Sequence, residues 1–234
     1  MSRHSEEIAY LKRLIEDFPA DIPPEDAPHA FQTIAIRYQG LEQSHHVATD
    51  FILKNIQKDQ TLAAALKRGA FLLHTYLFDG ILSNAGEARK ASDPNNGRIG
   101  FGGLRHQQQR SKFYGTAPSL INAELDKAFS HLVYEPDEPV ESALRFYQHF
   151  VYIHPFYDAN GRIGRVLVST YLNLFGCYVR WGEFDGANNS KFISKLNACH
   201  KRMESGHTFE NYFGYLLEFF KEYVISVDEL SDFK

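Results

Sequence analysis

The chain has 234 residues and a hydrophobic fraction of 44%, which allows one domain with a sizeable core and excludes a disordered acidic tail. Its formal net charge of −4 gives no reason to expect binding to nucleic acid. No apolar run approaches the roughly 18 residues of a membrane span, and the charged N-terminus resembles no signal peptide, so we expect a cytoplasmic protein without a membrane partner.

The N-terminal residues form the first predicted element. Apolar residues between Ile8 and Phe18 recur at helical spacing, which predicts a short amphipathic helix. The stretch PADIPPEDAP follows, and its prolines cannot lie inside a helix. We therefore divide the chain into an N-terminal helix with its linker, residues 1–35, and a main domain with a C-terminal helical extension, residues 36–234.

The remainder of the chain is predicted to be mostly α-helical. Glycines and the lack of a helical period predict a long loop or small hairpin over residues 97–118, and loops of this length tend to be functional. A second loop, residues 154–160, separates two strong helical patterns. The helical patterns span about 29–57, 60–82, 119–133, 139–152, 161–175 and 209–229.

The stretch HPFYDANGRIGR, residues 154–165, combines groups that neither a core nor an ordinary solvated loop would contain. Pro155 opposes a helix through His154, and helical spacing resumes at Gly161. The start of that helix exposes unpaired N–H groups and positive potential, which together make an anion site. Ala159 and Gly161 are small, so the backbone can approach a phosphate closely.

The charged side chains of this stretch fit the same chemistry. Arg162 and Arg165 lie three residues apart, and arginine forks suit phosphate oxygens. Asp158 would repel a bare phosphate but could hold Mg²⁺ against one. His154 could act as a general base towards a hydroxyl. These parts predict nucleotidyl or phosphoryl transfer; the alternatives are that Asp158 only caps the helix and that the arginines form a solvated face.

The sequence HPFYDANGRIGR resembles the signature of the Fic family, with every signature position filled. The segment GLRHQQQRSKFYGTAPSLI is similar to the family's flap region, in which a hairpin holds the target protein as an added strand. The resemblance covers about residues 36–205 and implies a Fic-type helical bundle with a small β-hairpin, the flap, before the signature loop. Fic enzymes typically transfer AMP from ATP to a Ser, Thr or Tyr hydroxyl of a protein.

The resemblance also implies a role for each matching residue. His154 would deprotonate the target hydroxyl, and Asp158 would hold Mg²⁺ on the α- and β-phosphates of ATP. Backbone amides of the loop, with Asn160, would cradle phosphate, and the two arginines would contact the β- and γ-phosphates. The implied nucleotide-binding residues are Asp158, Ala159, Asn160, Gly161, Arg162 and Arg165. The implied target-binding residues of the flap are Phe113, Tyr114 and Gly115.

Two signature positions separate the branches of the family. Position 159 is Ala, where Gly is commoner, and Ala also occurs in the Doc branch, whose members phosphorylate their targets. Doc-like members, however, carry Lys where this chain has Gly161. A lysine there would fill the space for the terminal phosphates, so Gly161 favours adenylyl transfer.

An inhibitory glutamate is the least clear part of the resemblance. Many Fic proteins carry a helix with a Ser/Thr-x-x-x-Glu-Gly/Asn pattern whose Glu pairs with the second signature arginine and blocks the γ-phosphate. In YQGLEQ, Glu42 lies in the expected upstream helix, but Tyr38 and Gln43 replace the flanking residues of the pattern. We predict Glu42 as a degenerate inhibitory residue; Glu87 in SNAGEA is a weaker candidate. The alternatives are an unregulated enzyme or one inhibited by a separate partner.

Rival functions remain open at the level of sequence. The same loop could transfer UMP, phosphocholine or phosphate, or remove AMP from a modified protein. The hairpin could also belong to a non-catalytic module that binds a peptide strand. A protein substrate docked at the flap is the expected partner, and an antitoxin or regulator and a second copy of the chain are further candidates.

Overall fold

The computed structural model describes residues 3–18, 20–43, 61–101, 113–184, 186–204 and 210–226. Within these ranges the helices are α1 Arg3–Asp17, α2 Ala27–Gln43, α3 Leu62–Phe78, α4 Ile121–Phe129, α5 Pro139–Ile153, α6 Asn160–Asn173, α7 Gly186–Glu204 and α8 Glu210–Lys221. The strands are β1 Gly100–Phe101, β2 Phe113–Tyr114, β3 Cys177–Val179 and β4 Val224–Ser226. This confirms the predicted fold class, mostly α with a small β-hairpin before the signature loop. None of the described helices is long and apolar enough to cross a lipid bilayer.

Helices α5 and α6 form the centre of the fold. Each has an apolar face buried in a hydrophobic core that the other helices complete. Gly164 of α6 packs directly on the ring of Tyr147 of α5, and a β-carbon at Gly164 would approach that ring to 3.0 Å. The close pairing of the two helices fixes both ends of the loop between them, residues 154–159.

The N-terminal helix α1 packs into the same core. Leu11, Leu14 and Ile15 are buried there, and the Tyr10 hydroxyl donates a hydrogen bond of 2.5 Å to the Tyr157 carbonyl in the loop between α5 and α6. The predicted boundary at residue 35 falls inside α2. The division into residues 1–35 and 36–234 therefore coincides with no break in the described structure and stays a prediction.

One predicted helical pattern extends beyond the described residues, and another ends earlier than predicted. The pattern at 29–57 is helical as far as Gln43, and residues 44–57 lie outside the described part of the chain. The pattern at 209–229 ends at Lys221, and Val224–Ser226 instead pairs antiparallel with Cys177–Val179. The β-branched residues Val224 and Ile225 favour an extended strand once a partner strand is available, and that partner is distant in sequence.

The buried side chain of Arg89 connects the loop after α5 to the β1–β2 hairpin. Arg89 is only 2% exposed, and its backbone N–H donates to the Pro155 carbonyl at 2.9 Å. The unpaired carbonyls at the end of α5 lie at the negative end of the helix dipole, so a cation placed there stabilises the helix. The guanidinium donates to four backbone carbonyls, those of His154 at 2.7 Å, Thr116 at 2.8 Å, Ile153 at 3.2 Å and Gly97.

The variant Arg89→Lys tests this role. A lysine ammonium presents its donors from one atom and cannot reach carbonyls on three sides, so buried carbonyls lose their partners. We expect the free energy of unfolding to fall by about 2–4 kcal/mol, measured by urea denaturation. The matched control is Arg37→Lys, since the half-buried Arg37 donates to the carbonyls of Leu77 and Asp79. That control should cost less than about 1 kcal/mol, and equal losses would contradict the role of Arg89.

Candidate active site

The loop between α5 and α6 is built around two left-handed residues. His154 has φ 52° and Ala159 has φ 63°, so the chain turns sharply at both ends of the loop. Asn160 closes the loop, because its Oδ1 accepts from the Phe156 N–H at 3.0 Å and its Nδ2 donates to the Phe156 carbonyl at 2.8 Å. The Asn160 side chain is 2% exposed and used in these bonds. The Asn160 side chain therefore shapes the loop, and its contact with a phosphate stays a prediction.

Phe156 anchors the loop in the core and is fully buried. Its ring stacks on His74 of α3 at 4.2 Å between ring centroids. Nδ1 of His74 accepts a hydrogen bond of 2.8 Å from the Gly86 N–H. Burial lowers the pKa of His74 to about 3, so this imidazole stays neutral and acts as a flat support for the loop. The sequence analysis did not identify His74.

The imidazole of His154 is oriented from two sides. Its ring stacks on Phe101 of β1 at 4.7 Å with an interplanar angle of 11°. Its Nδ1 lies 3.2 Å from the Val151 carbonyl, which assigns the proton to Nδ1 and leaves Nε2 as the basic nitrogen. Desolvation lowers its pKa to about 4, with Arg89 acting in the same direction and the Val151 carbonyl and Asp158 opposing. His154 is therefore a neutral base at pH 7.

Asp158 is held by the turn at the start of α6. Its Oδ1 accepts from the Ala159 N–H at 2.6 Å, and its Oδ2 lies 3.1 Å from an Arg162 nitrogen. Among the described residues no three His, Cys, Asp or Glu side chains converge as a metal site. A single carboxylate suits Mg²⁺ in nucleotide sites, because that ion takes most of its remaining ligands from phosphate and water. Asp158 alone is therefore suited to hold Mg²⁺ only when a phosphate ligand supplies further oxygens.

The first turn of α6 has the form of an anion site. The helical ladder begins with the Ile163 N–H donating to the Ala159 carbonyl at 2.8 Å, so the amides of residues 160–162 precede it. Space beside Gly161 is open, since an added β-carbon would meet only the Tyr147 hydroxyl, at 3.8 Å. These amides, the open space and the two arginines of α6 lie within its first two turns, where a bound anion is favoured.

Arg165 is packed among aromatic side chains. Its guanidinium lies 5.1 Å from the centroid of the Trp181 ring. Burial lowers its pKa, but Tyr147, Tyr38 and Glu42 raise it more, so the net shift is upward. The pKa of Tyr38 is raised as well, mainly by burial and secondly by the neighbouring Glu42 carboxylate. Helix α2 therefore brings Glu42 into the surroundings of the second signature arginine, although no ion pair joins the two within the described residues.

The three predicted residues of the β1–β2 hairpin, Phe113, Tyr114 and Gly115, differ in burial and in contacts. In the register Phe101 opposes Phe113 and Gly100 opposes Tyr114. Phe113 is only 4% exposed and faces inward, whereas Tyr114 is 61% exposed. The Phe113 side chain therefore supports the hairpin from below, and the target-binding role of residues 113–115 stays a prediction. Gly115 lies so close to the loop that an added β-carbon would meet the His154 β-carbon at 3.1 Å.

His200 of α7 is a further buried residue that the sequence analysis missed. Its ring meets Phe113 edge-on at 5.5 Å and lies 5.2 Å from the Tyr152 ring. Its Nε2 donates to the Gln148 carbonyl at 3.2 Å, and burial lowers its pKa to about 4. Hydrophobic periodicity could not single out His200, His74 or Arg89, because each contacts the site from an element distant in sequence.

The comparisons with known proteins agree with this geometry. Residues 67–172 match the family model described as the Fic/DOC family, whereas no curated protein sequence matches the chain significantly. Among solved structures, the N-terminal Fic domain of a Bartonella effector protein (Bep) from Bartonella sp. AR 15-3 is similar with a TM-score of 0.50. Its sequence identity is 14%, over 83% of this chain and 85% of that chain.

Two further solved structures are similar over nearly the whole chain. A Fic family protein from Desulfovibrio desulfuricans G20 has a TM-score of 0.49 and 12% identity, over 99% of this chain and 75% of that chain. A Fic domain containing signaling protein from Bacteroides thetaiotaomicron VPI-5482 has a TM-score of 0.49 and 19% identity, over 99% and 93%. The signature at residues 154–165 lies inside the matched region, so residues 67–172 of this chain are similar to the Fic/DOC family in both sequence pattern and helical fold.

Proposed function

We propose that the protein is an adenylyltransferase that moves AMP from ATP to a Ser, Thr or Tyr hydroxyl of a target protein. The Fic/DOC family typically comprises transferases of nucleotide or phosphate groups onto proteins. The choice of AMP rests on the open space beside Gly161, which can accept the terminal phosphates of a triphosphate. The proposal includes a cytoplasmic location, where ATP is supplied.

The observation that carries the proposal is the state of His154. A histidine whose Nδ1 is bonded to a main-chain carbonyl presents an unprotonated Nε2, and its lowered pKa keeps it neutral at working pH. It ends α5 directly before the loop that leads into the anion site of α6. A base and a phosphate site at the two ends of one short loop are the requirements for attack of a hydroxyl on a bound nucleotide.

In the proposed reaction, Nε2 of His154 accepts the proton of the target hydroxyl. The hydroxyl oxygen forms a bond to the α-phosphorus, the bond from that phosphorus to the bridging oxygen breaks, and pyrophosphate leaves. The product is a phosphodiester between AMP and the target side chain. Amides of the first turn of α6, with Arg162 and Arg165, stabilise the negative charge of the phosphates.

Mg²⁺ is part of the proposal, with Asp158 as its one protein ligand. The ion would neutralise phosphate charge when bound. Asp158 is half-buried and is already paired with Arg162 in the structure. Binding of Mg-ATP therefore requires Arg162 to exchange its carboxylate partner for phosphate oxygens, which the planar guanidinium binds equally well.

Glu42 is proposed as a regulatory residue. The carboxylate of Glu42, in the surroundings of Arg165, lowers the positive potential that the terminal phosphates require. The Tyr38 ring lies 6.0 Å from the Arg162 guanidinium carbon, so α2 covers both arginines. Displacement of this segment, or loss of the Glu42 charge, would then raise ATP binding.

Transfer of label from ATP tests the proposed reaction. We expect label from the α-position of ATP, and none from the γ-position, to pass to protein in the presence of Mg²⁺. His154→Ala should lower this transfer by about 10²–10⁴-fold, whereas His29→Ala, at an exposed position of α2, should not change it. Label from the γ-position would indicate phosphate transfer instead, and the absence of both would favour a peptide-binding module.

The pH dependence of the rate tests the state of His154. A histidine with a lowered pKa stays neutral to lower pH, so kcat/KM for ATP should be constant down to about pH 5 and fall as the pH passes through about 4. The measurement uses excess Mg²⁺, and circular dichroism at each pH checks that the protein is folded. An acid limb near 6.5, the ordinary histidine value, would contradict this assignment.

The isosteric variant Glu42→Gln tests the regulatory proposal. Removing one negative charge near Arg165 should raise ATP affinity and self-labelling by about three- to tenfold. The matched control is Glu16→Gln, at an exposed position of α1, which should leave both unchanged. ATP affinity is measured by calorimetry with the His154→Ala background to prevent turnover. Equal affinity in both variants would remove Glu42 from regulation.

A further inference from the structure

The sequence around the β1–β2 hairpin has an unusual charge pattern. Residues 94–123 contain no Asp or Glu, although the whole chain has 29 in 234 residues and a net charge of −4. The same stretch contains four basic residues, Arg98, Arg105, Arg110 and Lys112. A local excess of one sign attracts ligands of the other sign. Of these four, only Arg98 lies in the described part of the chain.

Arg98 lies at the base of the hairpin and is exposed. The register that pairs Gly100 with Tyr114 places Arg98 diagonally across the strands from Tyr114, and its guanidinium carbon lies 6.0 Å from the Tyr114 ring centroid. Two surface cavities of about 330 and 400 Å³ are both lined by Arg98 and Tyr114. The pair forms a cation and an aromatic face on the outer surface of the hairpin.

No carboxylate pairs with Arg98 among the described residues. Three other arginines have such partners, Arg162 with Asp158 at 3.1 Å, Arg180 with Glu183 at 2.7 Å and Arg145 with Glu210 at 2.8 Å, whereas the exposed Arg68 resembles Arg98 in having none among the described residues. The guanidinium of Arg98 therefore keeps its donors for a ligand. A carboxylate is the group that matches this fork, and the Tyr114 ring can support its apolar stem.

The pair lies close to the proposed reaction centre. Gly115, the residue after Tyr114, packs against His154, and its N–H donates to the Ile99 carbonyl at 3.0 Å. A chain that adds to the hairpin as a strand presents alternate side chains to one face. Its side chains two to four residues from the reacting hydroxyl would therefore pass over the surface that Arg98 and Tyr114 form.

We propose that the protein segment docked on this hairpin is acidic, and that a carboxylate near its reacting hydroxyl binds Arg98 against Tyr114. The inference rests on the proposed function for treating the docked segment as the substrate. It names the chemical class of the target: an extended Ser-, Thr- or Tyr-containing segment with Asp or Glu at alternate flanking positions.

Peptide binding tests this inference without requiring turnover. The probe is a fluorescein-labelled peptide of about nine residues with a central serine and glutamate at alternate positions, compared with the same peptide carrying glutamine. By fluorescence anisotropy at low salt, the full chain should bind the glutamate peptide about fivefold more tightly, and added salt should reduce the difference.

Charge reversal identifies the residue responsible. Arg98→Glu should abolish or invert the preference, whereas Arg68→Glu, the same change at an exposed position of α3, should keep it. Equal binding of the two peptides, or an unchanged preference in Arg98→Glu, would overturn the inference. Tighter binding of a single-stranded oligonucleotide than of the glutamate peptide would also overturn it, because cation and aromatic surfaces bind nucleic acid as well.

The same peptides separate this inference from the proposed function. Label transfer from α-labelled ATP is measured with each of them in parallel. A glutamate preference in binding without any label on peptide or protein supports the acidic docking surface and removes the transferase. Transfer of label with no glutamate preference supports the transferase and removes the acidic docking surface.

Discussion

The hydrogen bonds from Arg89 to the carbonyls at the end of α5 are the constraint on which the site depends. His154 follows that helix in a left-handed conformation. For a residue with a side chain this conformation costs free energy, and it persists only where the surrounding contacts hold it. The His154 carbonyl is bound by Arg89, and its ring is stacked on Phe101 of the hairpin. Because the same guanidinium also binds the Thr116 carbonyl just after β2, one buried cation fixes His154 and the hairpin relative to each other.

The anion site depends on a second constraint, the close packing of α5 and α6. Gly164 allows α6 to lie against Tyr147, and Asn160 closes the loop that begins that helix. The unpaired amides and the dipole of α6 then point into the loop, and two arginines add charge of the same sign. Such an arrangement is unfavourable without an anion, and in the structure Asp158 supplies that negative charge through its pair with Arg162.

Burial keeps the histidines around the site neutral. The pKa values of His74, His154 and His200 are lowered to about 3, 4 and 4, with desolvation as the largest cause of each. Of these three, His154 is the proposed base; His74 supports Phe156, and His200 supports Phe113 beneath the hairpin. Because the imidazoles of His74 and His200 are neutral, they pack against the loop and the hairpin without placing a positive charge near His154.

The sequence by itself determined the mostly helical class, the loop between α5 and α6 and the residues proposed to carry its chemistry, because helical periodicity, Pro155 and the glycines act locally. It could not identify Arg89, His74 or His200, since each reaches the site from an element distant in the chain. It also placed residues 224–226 in a helix, because the strand that pairs with them lies at 177–179. Only the tertiary structure decided that Phe113 faces inward and that Asn160 closes the loop, because burial and hydrogen-bond partners follow from packing.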